Sequence, residues 1–370
     1  MSNNNIFVTR PSLPPLDEFI PYLSRIWEAK QLSNGGPFHR EFELALAEYF
    51  DVEQVSLFTN ATIALLVSLQ AAGVTGEVIT TPFSFVATSN AIVLAGAEPV
   101  FVDVDPRNLN ISAEQIEAAI TPRTSAILPV HCYGNPCDVK AIEDIAKRHG
   151  LKIIYDAAHA FGVRHEGSSI LKAGDMSVLS FHATKVFNTF EGGAVISRDL
   201  ATKTRIDEVK NFGLVDGIQM PTVGLNGKMS EFNAALGLLQ LKHVGNDIKA
   251  RQRVAAIYAD RLGSVPGIKF PCGVNGPANG AYYPILITDG FGQTRDELFE
   301  TLKTNGIISR KYFFPLISDM EAFRANPSAD PTNLPIAKRA ASQAICLPIY
   351  ADIDRKTVEY ICDLITAAAK

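Results

Sequence analysis

Cysteine is scarce in this sequence, and the few residues that occur are scattered. The 370 residues contain five of them: Cys132, Cys137, Cys272, Cys346 and Cys362. An odd, dispersed set is typical of reduced thiols in a reducing compartment, not of a disulfide framework. The stretch HCYGNPC (131–137) has no second close Cys or His pair to complete a tetrahedral site, so no metal is predicted there.

Long apolar runs and a strong charge of one sign are also missing. The N-terminus has no apolar segment of the kind found in secretion signals, and no later run approaches the roughly 20 apolar residues of a membrane span. The net charge of −5 gives no reason to expect nucleic acid or an anionic membrane as a partner. We therefore expect a well-packed cytoplasmic protein.

The dinucleotide-binding fingerprint is absent as well. No Gly-x-Gly-x-x-Gly follows the first predicted strand with an acidic residue about 20 residues later. This absence excludes a nicotinamide-dependent dehydrogenase of the usual kind.

What the sequence does contain is a repeated alternation of short apolar runs and helical patterns. Between about residues 55 and 200, β-branched runs predict strands at 55–58, 77–81, 99–104, 124–130, 152–156 and 176–181. Nearly all-apolar strands that alternate with helices indicate a parallel sheet covered by helices on both faces. We therefore predict an α/β fold and expect ligands at the carboxyl ends of the strands.

Beyond this region the pattern becomes one long helix followed by an α+β mixture. We predict that the helix is broken near Gly245 and that the chain has a large domain, 1–245, and a smaller C-terminal domain, 246–370. The N-terminal arm is expected to lie extended up to the helical segment EFELALAEYF (41–50), since it is rich in proline: Pro11, Pro14 and Pro15.

Polar residues follow several of the predicted strands. Thr59–Thr62 opens a helix whose free N–H groups suit a phosphate, although Thr and Asn are also ordinary helix caps. Phe83 and Phe85 follow another strand, and one of them could stack on a planar ring, although core packing is the commoner fate of a phenylalanine. Asp156 ends an apolar strand and needs a positive or hydrogen-bonding partner there. With His159 it could also suggest metal ligands, but no third ligand is evident.

The segment SFHATKVFNTFEGG (180–193) places a single lysine between two aromatic residues. If Phe181 and Phe187 desolvate Lys185, the pKa of its amine falls and the neutral, nucleophilic form becomes accessible. The alternative is a surface lysine whose stem covers apolar neighbours.

These strand-end residues together match the requirements of pyridoxal 5′-phosphate (PLP). Lys185 would form a Schiff base with its aldehyde, and Asp156 would keep its pyridine nitrogen protonated so that the ring acts as an electron sink. The helix opening at Thr59–Thr62 would take the phosphate, and an aromatic residue would cover the ring face. These groups occur along the chain in the order phosphate-binding helix start, aspartate and lysine. This order is the strongest functional signal in the sequence.

The sequence resembles those of a known family, the DegT/DnrJ/StrS sugar-nucleotide aminotransferases. The resemblance covers essentially the whole chain and includes NGGPFHREFELALAEYF (34–50), TNATIALLVSLQA (59–71), IIYDAAHAFG (153–162) and SFHATKVFNTFEGGAVIS (180–197). It implies a fold-type-I PLP enzyme, with a mainly parallel sheet between helices in the large domain and an α+β small domain.

The resemblance also implies roles for individual residues. Lys185 matches the Schiff-base lysine, which also shuttles a proton, and Asp156 matches the partner of the pyridinium. The remaining cofactor contacts implied are Phe85 on the ring, His159 near the phenolic oxygen where many relatives have Gln, and a phosphate cradle of Ala61, Thr62 and Ser180. Asn226 matches an asparagine that reaches the cofactor phosphate of a neighbouring subunit, which implies a homodimer with shared active sites. Phe190 departs from the family, since most members have Gly there.

The implied reaction transfers the amino group of glutamate to a nucleotide-linked keto sugar. The segments most resemble members that aminate dTDP-4-keto-6-deoxyglucose at C4 to give dTDP-4-amino-4,6-dideoxyglucose for O-antigen or another surface glycan. A C3-aminotransferase, a PLP-dependent dehydratase and a non-catalytic regulator remain alternatives, although Lys185 favours transamination because the related dehydratases carry His there. Candidate sugar-nucleotide contacts are His39, Arg40, Lys228, Lys311 and Tyr312. The alternative for each of them is an ordinary surface residue with no role in binding.

Overall fold

α-Helices and short strands alternate between residues 54 and 156. The computed structural model describes residues 5–273 and 276–369, so residues 1–4, 274–275 and 370 of the predicted domain ranges lie outside it. Its strands are β1 (Ile6–Phe7), β2 (Gln54–Phe58), β3 (Glu77–Thr80), β4 (Glu98–Phe101), β5 (Thr124–Ile127), β6 (Lys152–Asp156), β7 (Arg164–His165), β8 (Ser168–Ser169), β9 (Met176–Ser180), β10 (Gly193–Ser197), β11 (Ile268–Lys269), β12 (Pro284–Ile287), β13 (Ile307–Ile308) and β14 (Ala344–Cys346). Its α-helices are α1 (Leu16–Ala29), α2 (Pro37–Phe50), α3 (Ala61–Ala71), α4 (Ala87–Leu94), α5 (Ala113–Ala118), α6 (Val139–His149), α7 (Leu200–Val209), α8 (Glu231–Leu262), α9 (Arg295–Thr304), α10 (Pro335–Gln343) and α11 (Arg355–Ala368).

The largest sheet has seven strands in the order β2-β10-β9-β6-β5-β3-β4. All its neighbouring pairs are parallel except those of β10, which runs antiparallel to both β2 and β9. Residues 181–192 between β9 and β10 contain no helix to carry the chain back across the sheet, so the next strand reverses direction. The predicted α/β fold with a mainly parallel sheet is confirmed.

This topology gathers the sequence-predicted residues at one edge. The carboxyl ends of β2, β3, β6 and β9 lie at the same edge of the sheet, and β10 begins there because it runs the other way. Asp156 ends β6, and the segments that follow β2, β3 and β9 contain the start of α3, Phe85 and Lys185. Residues far apart in the chain can therefore share one site.

A second, three-stranded sheet, β11-β12-β14, carries the C-terminal part of the chain. Its hydrophobic cluster includes buried residues of α8, α9 and α11. The N-terminal strand β1 pairs in parallel with β13, so the first residues pack with this part and not with the large sheet. The division into 1–245 and 246–370 stays a prediction, and its boundary would lie inside α8.

Two predictions about helices are wrong. The helix α8 continues through Gly245 without a break, because its flanking turns are anchored by packing and an exposed glycine in a helix costs only about 1 kcal/mol relative to alanine. The arm is not extended up to residue 41, since α1 intervenes. Pro21 lies within α1, and the burial of Phe19 and Ile26 compensates for the hydrogen bond that this proline removes.

The contact between α8 and α2 leaves no room for a side chain at Gly237. A Cβ atom there would overlap the ring of Phe42. The Phe42 ring lies 6.0 Å, between ring centroids, from both Phe181 and Phe187. The two aromatic residues that flank Lys185 therefore belong to the core beneath the sheet edge, and the close approach of α8 helps to hold them.

The two glycines of α8 should respond to alanine in opposite ways. Gly237→Ala should destabilise the protein by about 1–3 kcal/mol through overpacking against Phe42. Gly245→Ala should stabilise it by about 0.5–1 kcal/mol, because a Cβ atom at 245 meets nothing within 4 Å. Urea unfolding of both variants at equal PLP concentration measures the difference. Equal stabilisation by both substitutions would contradict this account of the α2–α8 contact.

Candidate active site

A cavity of about 270 Å³ lies at the carboxyl edge of the seven-stranded sheet. It is somewhat smaller than the roughly 300–1,000 Å³ of most small-molecule sites. Side chains from both parts of the chain line it: Asn60, Ala61, Thr62, Leu65, Ser84, Phe85, Ala87, Asp156, Ala158, His159, Ser180, His182, Thr184, Lys185, Glu191, Tyr282, Tyr312 and Phe313. The seven residues predicted to hold the cofactor within one subunit all belong to this set.

Lys185 lies in the loop that follows β9. Its backbone N–H donates to the carbonyl of His182, 2.9 Å away, which fixes the start of the loop. Burial lowers the pKa of Lys185 to about 8, and the negative charge of Asp156 only partly opposes this shift. Within the described part of the chain, the Lys185 amine has no hydrogen-bond or ion-pair partner. It is therefore a partly neutral amine that faces a cavity, which favours the nucleophile over the surface lysine.

Asp156 is the last residue of β6 and is buried. Its Oδ2 accepts a hydrogen bond from the Thr88 hydroxyl at 2.8 Å, and its Oδ1 accepts one from the Ala158 amide at 3.1 Å. Burial raises the pKa of the Asp156 carboxyl, while these two donors and the Lys185 ammonium oppose the rise. A buried carboxylate is stabilised by a nearby positive charge, so Asp156 suits a cationic partner such as a protonated pyridine.

The start of α3 forms a small anion site. The Asn60 side chain caps the helix by accepting from the Ile63 amide at 2.9 Å. Among the described residues, the amides of Ala61 and Thr62 have no hydrogen-bond partner, and both residues line the cavity. A Cβ atom at Gly193 would lie 2.9 Å from the Ala61 nitrogen and would cover it. The glycine that opens β10 therefore keeps this cradle open for a phosphate.

His159 is a neutral hydrogen-bond donor in this cavity. Burial and the nearby Lys185 and His131 hold the pKa of His159 well below its usual range. Its Nδ1 accepts from the Tyr133 amide at 3.2 Å, so the proton of the neutral ring is assigned to Nε2. The His159 ring packs against Tyr282 and stacks on Phe313. It can therefore donate to an oxygen in the cavity.

Phe85 has 59% of its surface exposed and lines the cavity, so it is available to cover a planar ring. Phe190, the departure from the family pattern, lies in the turn after Lys185. Its φ of 63° is in the left-handed region that favours glycine. Its ring stacks on Phe232 with centroids 5.7 Å apart, which helps to hold this conformation.

The predicted sugar-nucleotide contacts are only partly at the cavity. Tyr312 lines it, whereas Lys311 pairs with Asp296 and lies over Phe299. The turn that begins at Lys311, where the Phe314 amide donates to the Lys311 carbonyl at 2.7 Å, places Tyr312 and Phe313 at the cavity.

The other predicted sugar-nucleotide contacts lie elsewhere in this chain. His39 is a core residue of α2, and burial lowers its pKa to about 4. Arg40 is exposed and donates to the Gly35 carbonyl. Lys228 donates to the Asn211 side-chain oxygen at 2.8 Å. Asn226, which was predicted to reach the cofactor phosphate of a neighbouring subunit, is exposed. His39 is buried in this chain, and its contact with the sugar nucleotide stays a prediction.

Several cavity residues were missed by sequence reasoning. Tyr282 and Phe313 come from the C-terminal part, where no strand-end rule applied. His182 and Glu191 lie at the two ends of the Lys185 loop and pair at 3.5 Å. Their positions on either side of Lys185 were the only available signal. Thr88, which donates to Asp156, lies three residues after Phe85 in the first turn of α4.

The residues present fit PLP. A desolvated amine, a buried carboxylate, two free amides at a helix start, an exposed phenylalanine and a neutral histidine donor all meet in one cavity. Among residues 5–273 and 276–369, no three His, Cys, Asp or Glu side chains lie close enough together to hold a metal ion. In the same residues, no helix is long and apolar enough to cross a membrane.

Comparison with known proteins agrees with this site. The model of the DegT/DnrJ/EryC1/StrS aminotransferase family matches residues 16–366. Two dTDP-4-amino-4,6-dideoxy-D-glucose transaminases are 52% identical to the chain. The protein from Escherichia coli aligns over 99% of both chains, and that from Shigella dysenteriae over 97% of this chain and 98% of its own.

A solved structure, that of DesI in the presence of its TDP-sugar product, has a TM-score of 0.93 at 37% identity. It covers 99% of this chain, and the match spans 93% of the DesI chain. The resemblance noted in the sequence is confirmed, and with it the fold-type-I architecture and PLP as the cofactor. The chain belongs to the DegT/DnrJ/EryC1/StrS aminotransferase family.

Proposed function

We propose that this protein transfers the amino group of glutamate to C4 of dTDP-4-keto-6-deoxy-D-glucose, giving dTDP-4-amino-4,6-dideoxy-D-glucose. The observation that carries the proposal is the desolvated Lys185 amine in one cavity with the buried Asp156. The choice of substrate is supported by the near-full-length, 52% identity to two transaminases of that name.

When bound, PLP provides an electron sink that lets an amino group pass from an amino acid to a ketone. Lys185 holds the cofactor through Nζ and, when released, takes the proton from Cα of the amino donor. The same amine later delivers a proton to the sugar carbon that receives nitrogen. A pKa of about 8 suits both directions of transfer, because the amine then exchanges protons readily near neutral pH.

Asp156 and His159 would contact different atoms of the PLP ring. Asp156 pairs with the pyridine nitrogen and keeps it protonated, which increases the electron demand of the ring. His159 Nε2–H donates to the phenolic oxygen. Ala61, Thr62 and Ser180 take the phosphate, and Phe85 covers the ring face.

The sugar nucleotide enters from the side of the cavity that Tyr282 and Tyr312 line. In the described chain neither phenol has a hydrogen-bond partner, so both hydroxyls are available to a polar substrate. Their rings meet edge to face with centroids 5.7 Å apart, which makes them one rigid wall.

The proposal includes a homodimer with shared active sites. Asn226 is exposed in this chain and does not line its cavity, which is what a residue serving a partner's phosphate requires. We further place the enzyme in the cytoplasm, making an amino sugar for O-antigen, lipopolysaccharide or another surface glycan. All five cysteines are free thiols, which agrees with a reducing compartment.

A substrate assay tests the reaction. Incubated with PLP and glutamate, the protein should convert dTDP-4-keto-6-deoxy-D-glucose to the 4-amino sugar and release one 2-oxoglutarate per product, with the product identified by NMR. Lys185→Ala should form no product under the same conditions. Formation of a 3-amino sugar only, from the 3-keto isomer, would overturn the C4 assignment in favour of a C3-aminotransferase. Loss of a hydroxyl without release of 2-oxoglutarate would favour a dehydratase.

Mixed dimers test the shared site. A dimer of one Lys185→Ala subunit and one Asn226→Asp subunit should retain one intact site, because the two changes then fall in the same cavity. A dimer of one doubly substituted subunit and one unchanged subunit should retain none, since each cavity then carries one change. Differentially tagged, co-expressed subunits allow both dimers to be purified and assayed. The reverse pattern would show that Asn226 serves its own chain.

A further inference from the structure

Asp156 lies at the end of a chain of buried hydroxyl groups. Its Oδ2 is 2.8 Å from the Thr88 Oγ1, which is in turn 2.9 Å from the Ser84 Oγ. Thr88 is fully buried and Ser84 is 4% exposed. Ser84 lines the cavity, so the chain runs from the cavity wall, through α4, to the far side of the carboxylate.

The donors in this chain have a fixed order when Asp156 is ionised. A carboxylate only accepts hydrogen bonds, so the single hydroxyl proton of Thr88 must point at Oδ2. Thr88 then has no proton left for Ser84, and Ser84 must donate to Thr88. The Ala158 amide occupies Oδ1. Every donor that contacts the carboxylate therefore favours its charged form.

This arrangement follows from the first turn of α4. The Thr88 amide donates to the Phe85 carbonyl at 3.2 Å, which places Thr88 one turn beyond Phe85. Phe85 faces the cavity while Thr88 faces the interior and Asp156. One short helical turn thus supplies both a ring-covering side chain and a donor to the carboxylate.

We propose that Thr88, oriented by Ser84, is a positioning residue that keeps the Asp156 carboxylate ionised and fixed for its pairing with the pyridine nitrogen of PLP. The inference rests on the PLP site described above and is independent of which sugar the enzyme accepts. Burial alone raises the pKa of Asp156, so the charged form needs donors that compensate for the lost water. A hydrogen bond to a buried charged group is among the stronger ones in proteins.

Titration of the apoprotein with ¹⁵N-labelled PLP tests this role, using the dissociation constant and the ¹⁵N shift of the pyridine nitrogen. Thr88→Val, which keeps the shape and removes the hydroxyl, should weaken PLP binding roughly tenfold. It should also move the nitrogen resonance toward the unprotonated value. Thr88→Ser should restore both readouts to near the wild-type values. Ser84→Ala should give a smaller change in the same direction, since the Thr88 donor remains.

Thr80→Val is the matched control. Thr80 is also a fully buried threonine, but its hydroxyl donates to the Leu128 carbonyl at 2.8 Å and not to Asp156. This variant should leave the nitrogen resonance unchanged even if it lowers stability. A wild-type resonance in Thr88→Val would overturn the inference. If that variant does not fold, an unchanged resonance in Ser84→Ala would overturn it instead. Wild-type protein that fails to bind PLP would overturn both the proposed function and this role of Thr88, whereas a wild-type resonance in PLP-bound Thr88→Val overturns the role of Thr88 alone.

Discussion

The site depends on two opposite charges that share one water-poor cavity. Asp156 ends β6 and Lys185 lies in the loop after β9, yet each shifts the pKa of the other. Burial works against both charges, lowering the lysine pKa and raising that of the aspartate. The amine is thereby made partly neutral, and the carboxylate needs the donors Thr88 and Ala158 to stay charged. The same desolvation makes the Lys185 amine nucleophilic and makes the Asp156 carboxylate dependent on hydrogen-bond donors.

The scaffold around this pair excludes water and leaves the necessary openings. Phe181 and Phe187 pack with Phe42 in the core, so the loop that carries Lys185 is anchored on both sides. Gly193 does the opposite, because its missing side chain leaves the Ala61 amide uncovered for a phosphate. Tight packing beneath the sheet edge therefore holds the Lys185 loop, and the small residue at the edge leaves room for a phosphate.

Sequence reasoning found the residues whose places are set by the sheet itself. Asp156 ends one apolar strand and Lys185 lies in the loop after another, and parallel strands bring their carboxyl ends to one edge. Sequence reasoning was less successful where tertiary packing determines the limits of a helix or brings a distant residue to the cavity. Pro21 did not prevent α1, Gly245 did not break α8, and Tyr282 comes from a distant part of the chain that no local pattern connects to the cavity. Thr88 could be recognised only once its distance to Asp156 was known.

Borohydride trapping of PLP on the apoprotein, followed by peptide mapping across a range of pH, tests the central claim most directly. Only the neutral amine attacks the aldehyde. Because burial lowers the pKa of Lys185 to about 8, the initial rate of labelling should rise with pH through about 8 and level off above it. The label should map to the peptide that contains Lys185. A rate that keeps rising toward the ordinary lysine pKa near 10.4, or a label on another lysine, would contradict the account.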